Sequence, residues 1–439
     1  MTRALSWGRY PDVEQKLFPL NWQDDVWPPR EQGSLLAHGQ GRSYGDVALN
    51  EDGVLLLTDA MNRFIAFDRE QGLLRCEAGV TFAAILNLIV PHGWFLPVTP
   101  GTKFVSVGGA VANDVHGKNH HQAGTFGRYV TQLGLRRSDE ALLICSPSQH
   151  PELFNATIGG LGLTGLMVWV EFRLKRISST FIEQRTEKFS NLEQFFALSE
   201  DAAKDWEYTV AWVDCLARKM QLGRGIFYRG NHASNASMHK EPADYGKTRL
   251  SMPFNLPGMI LNHATIKLFN QAYYHRPVKQ QTRVHFDPFF YPLDKIAQWN
   301  RMYGANGFFQ YQCVIPSADA HATMTRMLQT IAESGQGSFL SVLKVFGEMA
   351  SPGMLSFPRP GVTLALDFAN RGEKTRALLA RLDAITQAEG GAVYPAKDAC
   401  MSASHFQQYY PQWSQFADYI DPAFSSSFWR RVTQSGVTA

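Results

Sequence analysis

Cysteine is scarce in this chain. Cys76, Cys145, Cys215, Cys313 and Cys400 are the five in 439 residues, and no two form a CxxC pair. That spacing argues against a zinc site or a disulfide framework and fits a reducing compartment. Charge is thin as well: 18% of residues are charged, the net charge is +3, and no long basic run occurs. The electrostatic footprint of a nucleic-acid binder is therefore missing. No stretch approaches the roughly 20 apolar residues of a membrane-spanning helix. The first residues, MTRALSWGRYPD, lack an apolar segment and a cleavage site, so the expectation is a cytoplasmic chain without a secretory signal. The glycine loop at 38–46 is not a GxGxxG turn between a first strand and helix, and no ribose-binding acid follows at the usual offset. No GxxxxGK[ST] run occurs either. Rossmann-type nicotinamide binding and P-loop hydrolysis both lose their markers.

Glycine, by contrast, is concentrated. HGQGRSYGD at 38–46 and TPGTKFVSVGGAVANDVHGKNHH at 99–121 are followed by GGLGLTG at 159–165. Such loops expose runs of backbone N–H that can cradle anions, phosphate above all. Three of them predict a surface that holds a long diphosphate-bearing cofactor. Around them, 53–58 (GVLLLT), 73–78 and 166–174 (LMVWVEFRL) read as strands. TFAAILNLIV at 81–90 reads as a helix capped by Thr81 and ended by Pro91, His92 and Gly93. Further on, aromatic strands at 208–213, 308–315 and 362–368 alternate with helices at 321–334 and 374–389, which predicts a second antiparallel sheet backed by helices. Residues 250–277 are apolar, aromatic and basic without clean periodicity. They read either as a loop packed on the second domain or as a lid or membrane-facing loop.

Some side chains stand out chemically. His116, Lys118, His120 and His121 suggest a metal site, but Gly117 disfavours a helix and no acidic or cysteine ligands accompany them. The reading is no metal, with Lys118 either a charged wall for a phosphorylated substrate or a solvated loop charge. Lys397, in YPAKDA, is either a surface charge or a cation that stabilises negative charge on a reduced ring. Gln310 and Gln312 share one face of a strand, suited to hydroxyl recognition or to solvent.

Together the motifs GQGRSYGD, PGTKFVSVGGAVANDVHGKNHH, GTFG, LFNATIGGLGLTG, GFFQYQCVIP, SGQGSFLSVLKVFG and YPAKD resemble the decaprenylphosphoryl-β-D-ribose 2′-oxidase family, in their order and over nearly the whole chain. That family lies within the vanillyl-alcohol-oxidase-like FAD-binding superfamily. The resemblance implies an α+β fold with a two-part FAD-binding domain at 1–178 and 392–439. A substrate domain with an antiparallel sheet and flanking helices would occupy 179–391. It implies FAD contacts at Gly39, Gly41, Arg42, Ser43, Tyr44, Gly45, Gly101, Thr102, Val107, Gly108, Gly109 and Ala110. Asn113, His116, Gly117, Gly162, Gly165, Tyr394 and Lys397 complete that set. Arg42 stands where many superfamily members attach FAD through histidine, so the flavin is expected to be non-covalent.

The implied reaction oxidises the ribose 2′-hydroxyl of a polyprenyl-phosphoryl ribose to a 2′-keto sugar, on the way to an arabinose donor for the cell envelope. Lys397, Lys118, Gln312 and Tyr44 would serve catalysis, with Lys397 stabilising the reduced ring, orienting the sugar and standing as the first candidate for the proton acceptor, which the motifs leave open. Lys118, Trp212, Asn300, Gln310, Gln312, Lys344, Phe346 and Ala365 would line the substrate. A separate NAD(P)H-dependent reductase and peripheral contact with the inner face of the membrane are also implied. Against this stand a soluble-sugar or alditol oxidase and a non-catalytic binding subunit. Departures from the family pattern gather at the pocket. Ala365 replaces a cysteine, Val210 a serine, Phe290-Tyr291 a tyrosine-histidine pair and Thr363 an asparagine. The segment between Trp7 and Gly39 is also shorter, enough to trim a helix from the FAD domain.

Overall fold

Short apolar runs near the N-terminus form a three-stranded parallel sheet, with Val54–Leu57 between Lys16–Pro19 and Leu35–His38. The computed structural model describes residues 4–139, 142–234, 250–258 and 260–433. A five-stranded antiparallel sheet runs in the order Phe64–Asp68, Leu73–Glu77, Leu166–Arg173, Val130–Arg136, Leu143–Cys145. Leu166–Arg173 lies at its centre with nearly every side chain buried, which is why its sequence does not alternate. The expected helix is Phe82–Ile89, with Thr81 accepting from the Ala84 amide at 3.2 Å. It closes through Val90–His92 into left-handed Gly93.

The second half forms an eight-stranded antiparallel sheet. Its order is Gln281–His285, Phe181–Phe189, Gly225–His232, Tyr208–Val213, Ser341–Phe346, Gly361–Ala369, Phe308–Ile315, Ala392–Val393. Alternation along Phe308–Ile315 gives it two characters. Phe309, Tyr311, Cys313 and Ile315 join a core with Met324, Met327 and Leu328 of the Ala320–Ser334 helix and Leu378 and Leu382 of Glu373–Ala388. Each such fully buried side chain contributes about 1.5–3 kcal/mol. The wall that carries Gln310 and Gln312 on its other face is therefore firmly backed.

Two expectations need correction. Residues 250–277 are not one loop: Leu250–Ser251 pairs in parallel with Ile296–Ala297, and His263–His275 is a helix capped by Asn262. Its pattern is masked because its buried side carries Asn270, which donates to Asp214 at 3.0 Å, while Leu268 and Phe269 face outward. Met259 in that stretch lies outside the described residues. The chain also leaves the eight-stranded sheet later than 392, because Ala392–Val393 pairs with Phe308–Ile315 at its edge. Beyond it the tail docks on the first half. Leu35 N–H donates to Ala423 O at 2.7 Å, and Arg431 bridges Asp46 at 2.7 Å and Asp398 at 2.9 Å. Between Trp7 and Gly39 the described residues contain no α-helix, only the strands Lys16–Pro19 and Leu35–His38 and a short 3-10 turn.

Candidate active site

A cavity of about 590 Å³ lies between the glycine loops and the eight-stranded sheet. Residues 39–44, 100–102 and 116–118, with Gly108, Gly109, Gly162 and Gly165, form one wall. The first loop can turn because Gly41 is left-handed at φ +59°. It can approach the second only without a side chain, since a Cβ at Gly39 would stand 2.3 Å from Ser106 Oγ. The opposite wall comes from neighbouring strands, with Val210 to Trp212, Gln310, Gln312, Lys344 and Ala365, followed by Tyr394 and Lys397.

Whether this wall suits FAD can be judged from its buried polar atoms. Arg42 Nε, Asn113 Oδ1 and His116 Nδ1 are buried without a hydrogen-bond partner among the described residues, and all three residues line the cavity. Buried polar groups are normally paired, so donors and acceptors left over together mark a polar ligand's seat. Open space beside Gly101, where an added Cβ meets nothing within 4 Å, leaves room for it. The residues present therefore fit a long, polar, phosphate-bearing cofactor such as FAD.

Three lysines face the same space, each keeping part of its side chain open to it. Burial pushes Lys397 down to about 7, with Asp367 opposing and Lys344 reinforcing the shift. Lys118 falls to about 7 through burial and the nearby Lys344 charge, and Lys344 to about 8 through burial. Lys397 Nζ sits 3.9 Å from the Tyr44 ring centroid, and Lys118 Nζ donates to Phe289 O while lying 4.4 Å from the ring of that residue. These amines can hold an anion when protonated and take a proton when neutral.

Asp367, fully buried, is the acid that opposes the shift of Lys397. Burial pushes it up to about 7, and it accepts from Gln310 Nε2 at 2.6 Å and from Tyr303 Oη at 3.4 Å. Sequence reasoning passed over this residue, although period-two alternation from Ala365 puts it on the same face. Asp294 was passed over too; it lines the cavity and accepts from the Lys103 amide at 2.8 Å. Arg276, Tyr228 and Tyr273 also line the cavity, and no motif signalled them.

Gln312 Nε2 lies 3.0 Å from His116 Nε2 and 3.2 Å from Thr363 Oγ1. Burial, and then the Lys344 charge, hold His116 well below its ordinary range, so its ring is neutral. Donation from the amide to Nε2 places the ring proton on Nδ1, the atom without a partner. The amide oxygen of Gln312 is left to accept from a ligand.

The structure brings most of the residues named from sequence into this one cavity. Gly39, Gly41, Arg42, Ser43, Tyr44, Gly101, Thr102, Gly108, Gly109, Asn113, His116, Gly117, Lys118, Gly162, Gly165, Trp212, Gln310, Gln312, Lys344, Ala365, Tyr394 and Lys397 all line it. Five others, Gly45, Val107, Ala110, Asn300 and Phe346, do not line it. Val107 and Ala110 are fully buried in the core of the first half. A Cβ at Gly45 would meet Asp398 O at 1.6 Å, so Gly45 seats the C-terminal return instead of a ligand. Asn300 acts through Trp7, donating to its carbonyl at 3.0 Å. Phe346 packs behind the wall, 4.9 Å from the His116 ring and 4.4 Å from His120. Of the family departures, Ala365, Val210 and Phe290 line the cavity, whereas Tyr291 is buried behind it with its hydroxyl 2.7 Å from Thr99 Oγ1. Among the described residues no group of three or more His, Cys, Asp or Glu is arranged to hold a metal ion.

A family model described as an FAD binding domain matches residues 28–146, which include the first two glycine loops. With this fold and cavity it defines the chain as an FAD-dependent oxidoreductase. A decaprenylphosphoryl-beta-D-ribose oxidase of Mycolicibacterium smegmatis is 32% identical over 98% of this chain and 97% of its own length. The chain belongs to the decaprenylphosphoryl-β-D-ribose oxidase family. More local similarity reaches a putative D-arabinono-1,4-lactone oxidase of Neurospora crassa, 28% identical over 31% of this chain and 24% of that protein. Mouse L-gulonolactone oxidase is 28% identical over 37% of each chain.

Proposed function

We propose that this chain oxidises the 2′-hydroxyl of a polyprenyl-phosphoryl-β-D-ribose to the 2′-keto sugar. That step is the first half of an epimerisation leading to an arabinose donor for cell-envelope polysaccharide. One observation carries the reading: a single cavity combines amides and amines scaled to a sugar, cationic groups suited to phosphate, and an aromatic wall of Trp212, Tyr228, Tyr273 and Phe289. The likeness to the decaprenylphosphoryl-beta-D-ribose oxidase of Mycolicibacterium smegmatis, which extends over almost the full length, supports the same substrate class.

Each residue then has work to do. The Gln312 amide oxygen accepts from a sugar hydroxyl while its nitrogen is committed to His116 and Thr363. Lys397 Nζ, neutral in about half of the molecules near pH 7, takes the 2′-hydroxyl proton. Asp367 tunes that amine electrostatically, and Gln310 holds the Asp367 carboxyl in place. Lys118 and Lys344 line the same pocket and can donate to the sugar's hydroxyls. FAD, held without a covalent link by the glycine loops and Arg42, would supply the acceptor for the hydride that leaves C2′. The alcohol thereby loses two electrons and two hydrogens.

A separate NAD(P)H-dependent reductase would consume the keto sugar. Among the described residues no helix is long and apolar enough to cross a membrane. We place the chain in the cytoplasm, in peripheral contact with the inner face of the membrane where its lipid substrate resides. Deuterium at C2′ of the substrate should slow anaerobic flavin bleaching by a primary isotope effect. An effect from deuterium at C3′ in its place would contradict the assignment of the oxidised carbon.

A further inference from the structure

Arg276 is solvent-exposed and yet lines the cavity, so the cavity reaches the surface beside it. The guanidinium is braced there. Nη2 donates to Tyr228 Oη at 2.6 Å and to Tyr273 Oη at 3.3 Å, and the group lies 4.1 Å from the Tyr273 ring centroid. The two phenols are 3.1 Å apart, and both line the cavity. No carboxylate among the described residues pairs with this cation; its partners are both phenols. A planar charge is thus fixed at the opening, with the two hydrogens of Nη1 left to donate to the oxygens of an anion.

The helix that ends before Arg276 also carries an aromatic ladder. Trp212 on the cavity wall meets Tyr273 at 4.7 Å, and Tyr273 stacks on Phe269 at 5.7 Å with 20° between the rings. Phe269 is 43% exposed and Leu268 71%. Leu250, Phe254 and Ile260 are exposed as well, so five of the eleven large apolar side chains exposed among the described residues fall between 250 and 269. Apolar surface concentrated in this way beside a cavity opening marks contact with something apolar. Lys267 and Lys279, both exposed, set cationic groups next to it.

We propose that Arg276, braced by Tyr228 and Tyr273, receives the phosphodiester of the lipid-linked sugar, and that Trp212, Tyr273, Phe269 and Leu268 form the track along which the prenyl chain leaves for the bilayer. This rests on the functional reading above and adds the site that distinguishes a lipid-linked sugar from a free one. The order of groups supports it. In the substrate, phosphate stands between sugar and chain; in the protein, Arg276 stands between the cavity interior and the exposed face of the helix.

The test compares two substrates in the FAD-loaded enzyme: a long polyprenyl-phosphoryl ribose in mixed vesicles, and a water-soluble analogue with two isoprene units. Arg276→Gln should raise KM for both by about tenfold or more, the value of a lost charge-assisted contact, and leave their ratio unchanged. Arg276→Lys should recover part of that loss. Phe269→Ser with Leu268→Ser should instead raise the ratio of long-chain to short-chain KM about tenfold. The same double variant should sediment less with vesicles of phosphatidylglycerol and phosphatidylcholine, a readout independent of turnover. KM values within twofold of the wild type in Arg276→Gln would overturn the phosphate site. An unchanged ratio together with unchanged sedimentation in the double variant would overturn the track. If neither phosphoryl ribose bleaches the flavin of the wild type, the functional reading falls and this proposal with it.

Discussion

Lys397 is caught between two opposite charges, and each can be removed separately. Asp367 raises its proton affinity, and Lys344 lowers it. With a value of about 7, the neutral amine rises from about a tenth of molecules at pH 6 to about nine tenths at pH 8. If that amine takes the substrate proton, the anaerobic rate of flavin bleaching at saturating substrate should rise about tenfold across this window. In Lys344→Met the loss of a neighbouring cation lets Lys397 hold its proton to higher pH, so the midpoint moves up by about one unit, the scale of a nearby charge. At pH 7 the neutral fraction then falls from a half to about a tenth, a roughly fivefold slower reduction that recovers by pH 9. In Asp367→Asn the midpoint moves down. That shift is smaller because Asp367, itself pushed to about 7 by burial, is only half ionised there. The assay is stopped-flow absorbance without oxygen from pH 5.5 to 9. Midpoints that move the same way in both variants, or in neither, would refute the assignment of Lys397.

Other consequences are equally direct. Lys397→Met should slow the reductive step by about a hundredfold or more, the usual contribution of a positioned base; a rate within threefold of the wild type contradicts it. Acid precipitation should release the flavin into the supernatant, because Arg42 offers no atom for covalent attachment, and yellow colour kept in the pellet argues the reverse. Gly45→Ala forces a Cβ against Asp398 O at 1.6 Å and should cost about 3 kcal/mol, read as a lower denaturation midpoint. An unchanged midpoint means that the C-terminal return is not seated there. Ala365→Cys places a thiol on the cavity wall beside Gln312, its partner across the sheet, whereas four of the five native cysteines are buried. The variant should react with maleimide, more slowly in the presence of substrate. Labelling that substrate does not affect would remove Ala365 from the pocket.

Much of this was legible in the sequence because it is periodic or glycine-marked. Alternation along Phe308–Ile315 puts both glutamines on one face, and the loops at 38–46 and 99–121 converge as their lack of side chains allows. The same alternation would have exposed Asp367, two residues beyond Ala365, had it been followed along Gly361–Ala369. Other features leave no local trace. The His263–His275 helix hides because Asn270 faces inward to Asp214 while Leu268 faces water. Arg276 joins the cavity only through tertiary contacts with Tyr228, forty-eight positions away in the chain. Gly45 reads as one more cofactor glycine until Asp398, from the far end of the chain, is packed against it.

The most direct test of the central claim is the anaerobic absorbance of the oxidised flavin upon addition of polyprenyl-phosphoryl ribose, free ribose or an alditol. Bleaching by the lipid-linked sugar, with the free sugars inert, is the predicted result. Bleaching by ribose or the alditol at comparable concentration, with the lipid-linked sugar inert, would contradict it.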